Sequence, residues 1–340
     1  MEFFAEYAGF LARTLTILLA IIVLLVVVAL LRQRERHGGG QLQVRRLNDF
    51  YKVLSARLQD SVLSKAQLKR VRKEQARSAK LERKTGTHKP HVYVLDFDGD
   101  IKASAGESLR HEITALLSIA TPQDEVVIRL ESGGGMVHSY GLAASQLARI
   151  REAGIPLTVC IDKVAASGGY MMACLGERIL AAPFALVGSI GVVAQMPNFH
   201  RLLQKHDIDF ELHTAGQYKR TLTLFGENTD KGREKFQEEL ELTHRLFKDF
   251  VARYRPQLDI DAVATGEVWL GQTALDKQLV DALQTSDAYL TERAQHAELL
   301  LLSYVERKTL QERVGLAASA ALDGVLLRWW GRLSQPRFWQ

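Results

Sequence analysis

Cysteine is scarce in this chain: among 340 residues only Cys160 and Cys174 carry a thiol. That excludes a disulfide framework and any Cys/His metal cluster, and both read as small buried hydrophobes. No cofactor is expected. Aromatic residues are absent from the one strongly basic stretch, Lys65 to Lys89. Single-stranded nucleic acid is held by bases stacked on interleaved aromatics, so nucleic acid is not an expected partner. Nor is any internal repeat visible. The basic stretch holds ten Lys/Arg and two Asp/Glu, whereas the whole chain is only +5, so the remainder is net acidic by three charges. The basic character belongs to one segment.

What is present begins with a length sufficient for one large domain or two modest ones, and with ordinary apolar (47%) and charged (24%) shares. Thr14–Leu31 is an uncharged apolar run of 18 residues. As a helix it spans roughly 27 Å, close to a bilayer's hydrocarbon thickness. A cleaved signal peptide is the rival reading. Against it, the run is long for such a segment, and Arg32-Gln-Arg-Glu-Arg-His follows where small cleavage-site residues belong. An uncleaved anchor, with the lipid bilayer as partner, is the expectation. Arg13 alone precedes the run, while Arg32, Arg34, Arg36, Arg45 and Arg46 follow it. The positive-inside rule then places the body of the protein in the cytoplasm.

Gly38-Gly39-Gly40 marks an exit from the anchor, and residues 32–90 read as a basic tether, helical or partly disordered. A solvated helix is the plain reading. Attraction to anionic lipid headgroups, worth about 1 kcal/mol per basic residue near the surface, is the functional one. From His91 the pattern alternates. Strands are expected at His91–Phe97, Asp124–Leu130, Pro156–Asp162, Arg178–Phe184, Asp209–His213 and Leu299–Val305. Helices are expected at Glu107–Ala120, Val137–Glu152, Ser167–Gly176, Asn198–His206, Asp230–Tyr254 and Val263–Gln278. Strands alternating with helices predict parallel βαβ units in an α/β domain. The stretch Val325–Leu333 mixes Trp, Leu and Arg, as an interfacial helix does, though a helix packed on a neighbouring subunit has the same composition.

Two segments carry chemistry. Ala165-Ala166-Ser167-Gly168-Gly169-Tyr170 has the small residues needed for a strained strand-to-helix turn that exposes a hydroxyl beside free backbone N–H groups. Ser167 is the candidate nucleophile. Gly216-Gln217-Tyr218-Lys219-Arg220 offers a lysine as base. A third segment, Glu131-Ser132-Gly133-Gly134-Gly135, precedes the helix at Val137 and presents backbone N–H groups to a developing anion. The N–H groups of Gly168 and Gly134 are the two expected oxyanion donors. A phosphate cradle is disfavoured because no Gly-Lys-Ser/Thr follows.

These motifs, over about Val92 to Leu283, resemble the signal peptide peptidase A family of serine–lysine peptidases, and most closely its SohB-type membrane-anchored members. The resemblance implies a ClpP/crotonase-like spiral of βαβ units over residues 91–290, preceded by a transmembrane helix at 14–31 with a flank at 1–13, and followed by an extension at 291–340. The family usually carries Ser-Pro-Gly-Gly at the glycine loop, where Gly133 here replaces the proline. It also implies Lys219 as general base and Ser189, in Val187-Gly-Ser-Ile-Gly191, as the group that orients the lysine. ClpP-like relatives use a histidine soon after the serine, but none lies between Ser167 and His200, which leaves His138 as the rival base. Family members are generally thought to act from the outer face of the membrane, against the charge rule.

The resulting expectation is a serine endopeptidase of the inner membrane that cleaves signal-peptide remnants or other membrane-proximal polypeptides. Peptides or proteins are then its substrates. A homo-oligomer is expected, because relatives bring serine and lysine together across protomers and this chain has a single copy of each motif. A crotonase-type enzyme acting on acyl-CoA thioesters and a non-catalytic membrane scaffold are the alternatives.

Overall fold

The computed structural model describes residues 40–85 and 89–305. The expected anchor at 14–31 and the Trp/Arg stretch at 325–333 lie outside the described residues. No helix among the described residues is long and apolar enough to cross a membrane. Leu42–Tyr304 forms one compact unit.

Ten strands make up its sheet: β1 (Gln41–Arg46), β2 (His91–Gly99), β3 (Glu125–Ser132), β4 (Leu157–Ile161), β5 (Val164–Ala166), β6 (Arg178–Ala181), β7 (Leu186–Gly188), β8 (Val268–Leu270), β9 (Ala282–Leu283) and β10 (Glu298–Val305). The main path runs β1-β10-β2-β3-β4-β6-β9, and a branch leaves β3 through β5 to β7 and β8. Pairings from β10 through β9 are parallel, as is the branch as far as β7. The β7–β8 pairing is antiparallel.

Parallel strands covered on both faces read as continuous apolar runs, and β2 does so: Val92, Tyr93, Val94 and Leu95 are all buried. On one face, Leu109, Ile113 and Leu116 of the helix Gly106–Leu117 join Leu147 and Ile150 of the helix Val137–Glu152 over Ile128 and Leu130. Each such side chain contributes about 1.5–3 kcal/mol when fully buried. On the other face, Val92, Val94, Val127, Cys160 and Leu180 meet Tyr289 and Leu290 of the helix Ser286–Arg293, and Leu47. Both cysteines are buried and free, as their apolar settings predict, and burial pushes each thiol up to about 12. Neither is a nucleophile at neutral pH.

Two expectations need correction. Residues 209–213 form no strand: all five are exposed, and no neighbouring strand accepts their backbone groups. The expected helix at Val263–Gln278 is broken into a turn of helix at Ile260–Val263, strand β8 and a helix at Gly271–Asp276. Gly266 at φ +83° and the close approach of Gly271 to the Ala182 carbonyl, where a Cβ would sit 2.1 Å from the oxygen, interrupt it. Long-range packing and pairing, invisible to local periodicity, decide both. Within residues 32–90, read as a helical or partly disordered tether, β1 lies beside β10, the helices Leu47–Val62 and Lys65–Thr85 follow it, and the Asn48 amide donates to the carbonyls of Ala294 and Ala297. Beyond 290, the strand expected at Leu299–Val305 is found as β10, which lies between β1 and β2.

Candidate active site

The site is built where the sheet divides. Strand β3 pairs with β4 up to Arg129↔Cys160, then with β5 at Ser132↔Ala165. The two strand ends therefore emerge side by side, each running into a helix: β3 through Gly133–Gly135 into Val137–Glu152, and β5 through Ser167 into Gly168–Ala173. Carboxyl ends of parallel strands at such a divergence leave a crevice for ligands.

Ser167 is the turning residue, at φ +52° and ψ −119°. A non-glycine residue there is strained by about 1–3 kcal/mol, and surrounding contacts must hold it. Its N–H donates to the Gly188 carbonyl at 2.8 Å. The Gly168 N–H, at the first position of the helix, has no intrahelical acceptor. Gly134, at φ +88°, packs so closely on the turn that a Cβ would lie 2.7 Å from Ser167 Cβ and 2.8 Å from both the Ala166 oxygen and the Gly168 nitrogen. Only glycine fits.

The Gly134 N–H donates to Ser132 Oγ at 3.0 Å, so it is already used inside the loop. Gly135 instead lines a shallow apolar pocket with Ser167, Gly168, Met171, Val192 and Phe247. Phe247 and Thr243, four residues apart on the helix Asp230–Tyr254, close one wall. Sequence reasoning did not select them, and their only signal was the helical spacing shared with buried Val251.

Ser189 sits one residue past β7, at φ +51°, with its N–H donated to the Glu267 carbonyl. Because Ser167 N–H bonds the Gly188 carbonyl, Ser189 is tied to the nucleophile turn through its neighbour. Lys219 is elsewhere in character: it is exposed, in a turn closed by its N–H on the Gly216 carbonyl at 3.1 Å. Lys219 does not line the pocket and makes no hydrogen bond to Ser167 or Ser189. His138, the rival base, is exposed at the start of its helix and is likewise outside the pocket lining. No group of His, Cys, Asp and Glu among the described residues is arranged to hold a metal ion.

Residues 149–300 match the family described as Peptidase family S49, and residues 2–147 match Peptidase family S49 N-terminal. "Probable protease SohB" of Haemophilus influenzae is 47% identical over 335 residues, covering 95% of each chain. The chain belongs to peptidase family S49. "Probable protease SohB" of Buchnera aphidicola (subspecies Acyrthosiphon pisum) is 45% identical, over 96% of this chain and 98% of its own. "Protease 4" of Salmonella typhi is 31% identical over 179 residues, 51% of this chain and 28% of that protein. This S49 chain is accordingly a SohB-type peptidase of the signal peptide peptidase A family, and its substrates are peptides or proteins.

Proposed function

We propose that this S49 peptidase is a membrane-anchored serine endopeptidase working through Ser167 and Lys219. The observation that carries the reading is the Ser167 turn: a strained serine that lines the pocket beside Gly168, whose N–H opens its helix without an intrahelical acceptor. The Ser167 Oγ attacks the scissile carbonyl while Lys219 Nζ takes its proton, and Ser189 orients the ammonium. The tetrahedral oxyanion is held by the Gly168 N–H and the backbone of Gly134–Gly135. The amine leaves with that proton, and water attacking the acyl-enzyme releases the second product. A lysine serves as base only when burial or neighbouring positive charge lowers its pKa, and Lys219 is exposed in the protomer.

Assembly supplies that burial in this reading. Val193, Met196, Phe199, Leu202, Phe210 and Tyr218 are exposed along the segment that holds Lys219, and a cluster of exposed apolar side chains marks an interaction surface. A homo-oligomer that covers them brings the lysine of one protomer to the serine of the next. The branch at β3 supports the ClpP/crotonase-like spiral of βαβ units over 91–290. The run Thr14–Leu31 supports a single-pass anchor in the cell inner membrane, with the catalytic body on the cytoplasmic side by the arginine distribution. Membrane-proximal polypeptides and signal-peptide remnants, whose apolar side chains suit the pocket, are the substrates.

The test is hydrolysis of a panel of signal peptides by the membrane-extracted full chain, with fluorophosphonate labelling of Ser167. Turnover and labelling that both disappear in Ser167→Ala support the reading, whereas turnover retained by that variant overturns it. A one-sided reporter fused to the C-terminus reads orientation, and an externally active reporter overturns the cytoplasmic assignment.

A further inference from the structure

Beneath the glycine loop lies a chain of hydroxyl hydrogen bonds with a fixed direction. The Tyr140 phenol donates its only proton to the Asp100 carbonyl at 2.7 Å, since a carbonyl cannot donate. The 2.6 Å contact between Tyr140 Oη and Ser132 Oγ must therefore run from serine to tyrosine. Ser132 Oγ in turn accepts the Gly134 N–H at 3.0 Å. The order Gly134 N–H, Ser132 O–H, Tyr140 O–H, Asp100 carbonyl follows with no proton left to assign. Burial pushes the Tyr140 phenol up, so it remains a donor at neutral pH.

The same tyrosine touches the nucleophile turn. Its side chain is fully buried, and a Cβ on Gly168 would lie 2.4 Å from Tyr140 Cγ. A Cβ on Gly99 would lie 2.5 Å from Tyr140 Oη and 2.6 Å from Ser132 Oγ. The loop's far end is held as well, by the Met136 N–H on the Ile101 carbonyl at 2.9 Å. Between these ties the Gly134 N–H is consumed inside the loop, and Gly135 is left facing the pocket.

We infer that Ser132 and Tyr140 are positioning residues: their hydroxyls hold the glycine loop against the Ser167 turn and aim the Gly135 N–H at the substrate carbonyl. The inference rests on the peptidase reading above and deepens it. Loss of the Ser132 hydroxyl frees the Gly134 N–H, loss of the Tyr140 hydroxyl leaves Ser132 Oγ without its acceptor and free to turn from Gly134, and either lets the loop relax. A donor misplaced by about 1 Å costs on the order of 100-fold in rate.

The experiment compares peptide turnover by the full-length wild type, Tyr140→Phe, Ser132→Ala, their double variant and Ser167→Ala. Active sites are counted by fluorophosphonate labelling, and folding is followed by thermal melting. Each single variant is expected to lower kcat per labelled site by about 10- to 100-fold with KM within about twofold. The double variant falls no further than the worse single one, because both cut the same chain. A merely structural role would lower the melting temperature and the number of labelled sites while leaving kcat per site unchanged, and that result overturns the inference. If Tyr140→Phe fails to fold, Ser132→Ala decides alone. Wild-type turnover that is lost in Ser167→Ala but kept per site in the hydroxyl variants sinks the inference and spares the peptidase reading. Turnover that survives Ser167→Ala sinks both.

Discussion

Ser167 is flanked by buried residues from Ala165 to Tyr170, whereas residues 204–220, which include Lys219, are exposed throughout. The serine turn is held by sheet pairing at Ser132↔Ala165, by the Gly188 carbonyl and by glycines with no room for a side chain. The lysine segment has the opposite build: Gly216 has open space, its nearest neighbour a Cβ atom 4.0 Å away. The core of the protomer thus fixes the turn of the proposed nucleophile, while the segment of the proposed base lies exposed outside that core. Strain of the kind stored at Ser167 requires a rigid surround, and an exposed loop cannot supply one.

The largest effect that sharpens this contrast is Ser167→Ala, which removes the covalent step and is expected to lower kcat by roughly 10⁴-fold or more while the melting temperature stays near wild type. Wild-type turnover in that variant would break the comparison at its rigid end. Next come Lys219→Ala and Lys219→Arg, each expected to cost about 10²- to 10⁴-fold, since arginine retains its proton at any working pH. Mixed with inactive Ser167→Ala protein, the Lys219→Ala protein should regain activity through hybrid interfaces, and dilution should reverse the gain. Complete failure to complement would mean a dyad contained within one protomer.

A smaller difference separates two glycines that both have positive φ. Gly134→Ala drives a methyl into Ser167 Cβ and the Gly168 nitrogen, and is expected to lose about 100-fold in kcat and about 1–3 kcal/mol of stability. Gly216→Ala meets no neighbour, so only its φ of +101° counts, at about 1 kcal/mol locally. Equal losses at the two sites, read by melting and turnover, would erase the distinction between rigid and open halves.

The smallest expected effect lies in the scaffold, just before β3. Burial raises the Asp124 pKa, but the hydrogen bonds its carboxylate accepts from the N–H groups of His91 and Thr121 and from the Thr121 hydroxyl outweigh that, and the net shift is downward. A carboxyl depressed in the folded state stabilises it above the unfolded pKa of about 3.9, and that contribution is lost as pH falls through the folded value. Asp124→Asn should therefore flatten the acid limb of the stability profile below about pH 4 and leave pH 7 turnover unchanged. An unaltered acid limb would show that this carboxylate does not contribute.

Local chemistry was legible wherever neighbours in sequence decide the outcome. Val137–Glu152 and Asp230–Tyr254 were bounded correctly because their apolar residues recur at helical spacing and their ends carry helix-starting or breaking residues. The Ser167 turn was legible because small residues flank a single hydroxyl. Residues 209–213 alternate like a strand yet have no partner, and the segment 263–278 reads as a helix until Gly271 meets the Ala182 carbonyl. In the sequence Tyr140 is one more residue of the helix Val137–Glu152. Its role depends on Asp100, 40 positions away, whose carbonyl it reaches only after β2 and β3 pair.

By itself the sequence determined the α/β class, the identity of the exposed hydroxyl and the glycines that let the backbone approach it, since these depend on side-chain size and local dihedral freedom. The tertiary structure alone decided that β10 and β1 join the sheet beside β2. It also decided that the Gly134 N–H is consumed by Ser132, and that Phe247 rather than a nearer residue walls the pocket. The strand pairing and the pocket wall depend on contacts between residues that chain order keeps apart, and the Gly134 bond, local in itself, forms only because Tyr140 accepts the Ser132 hydroxyl from the far side of the loop.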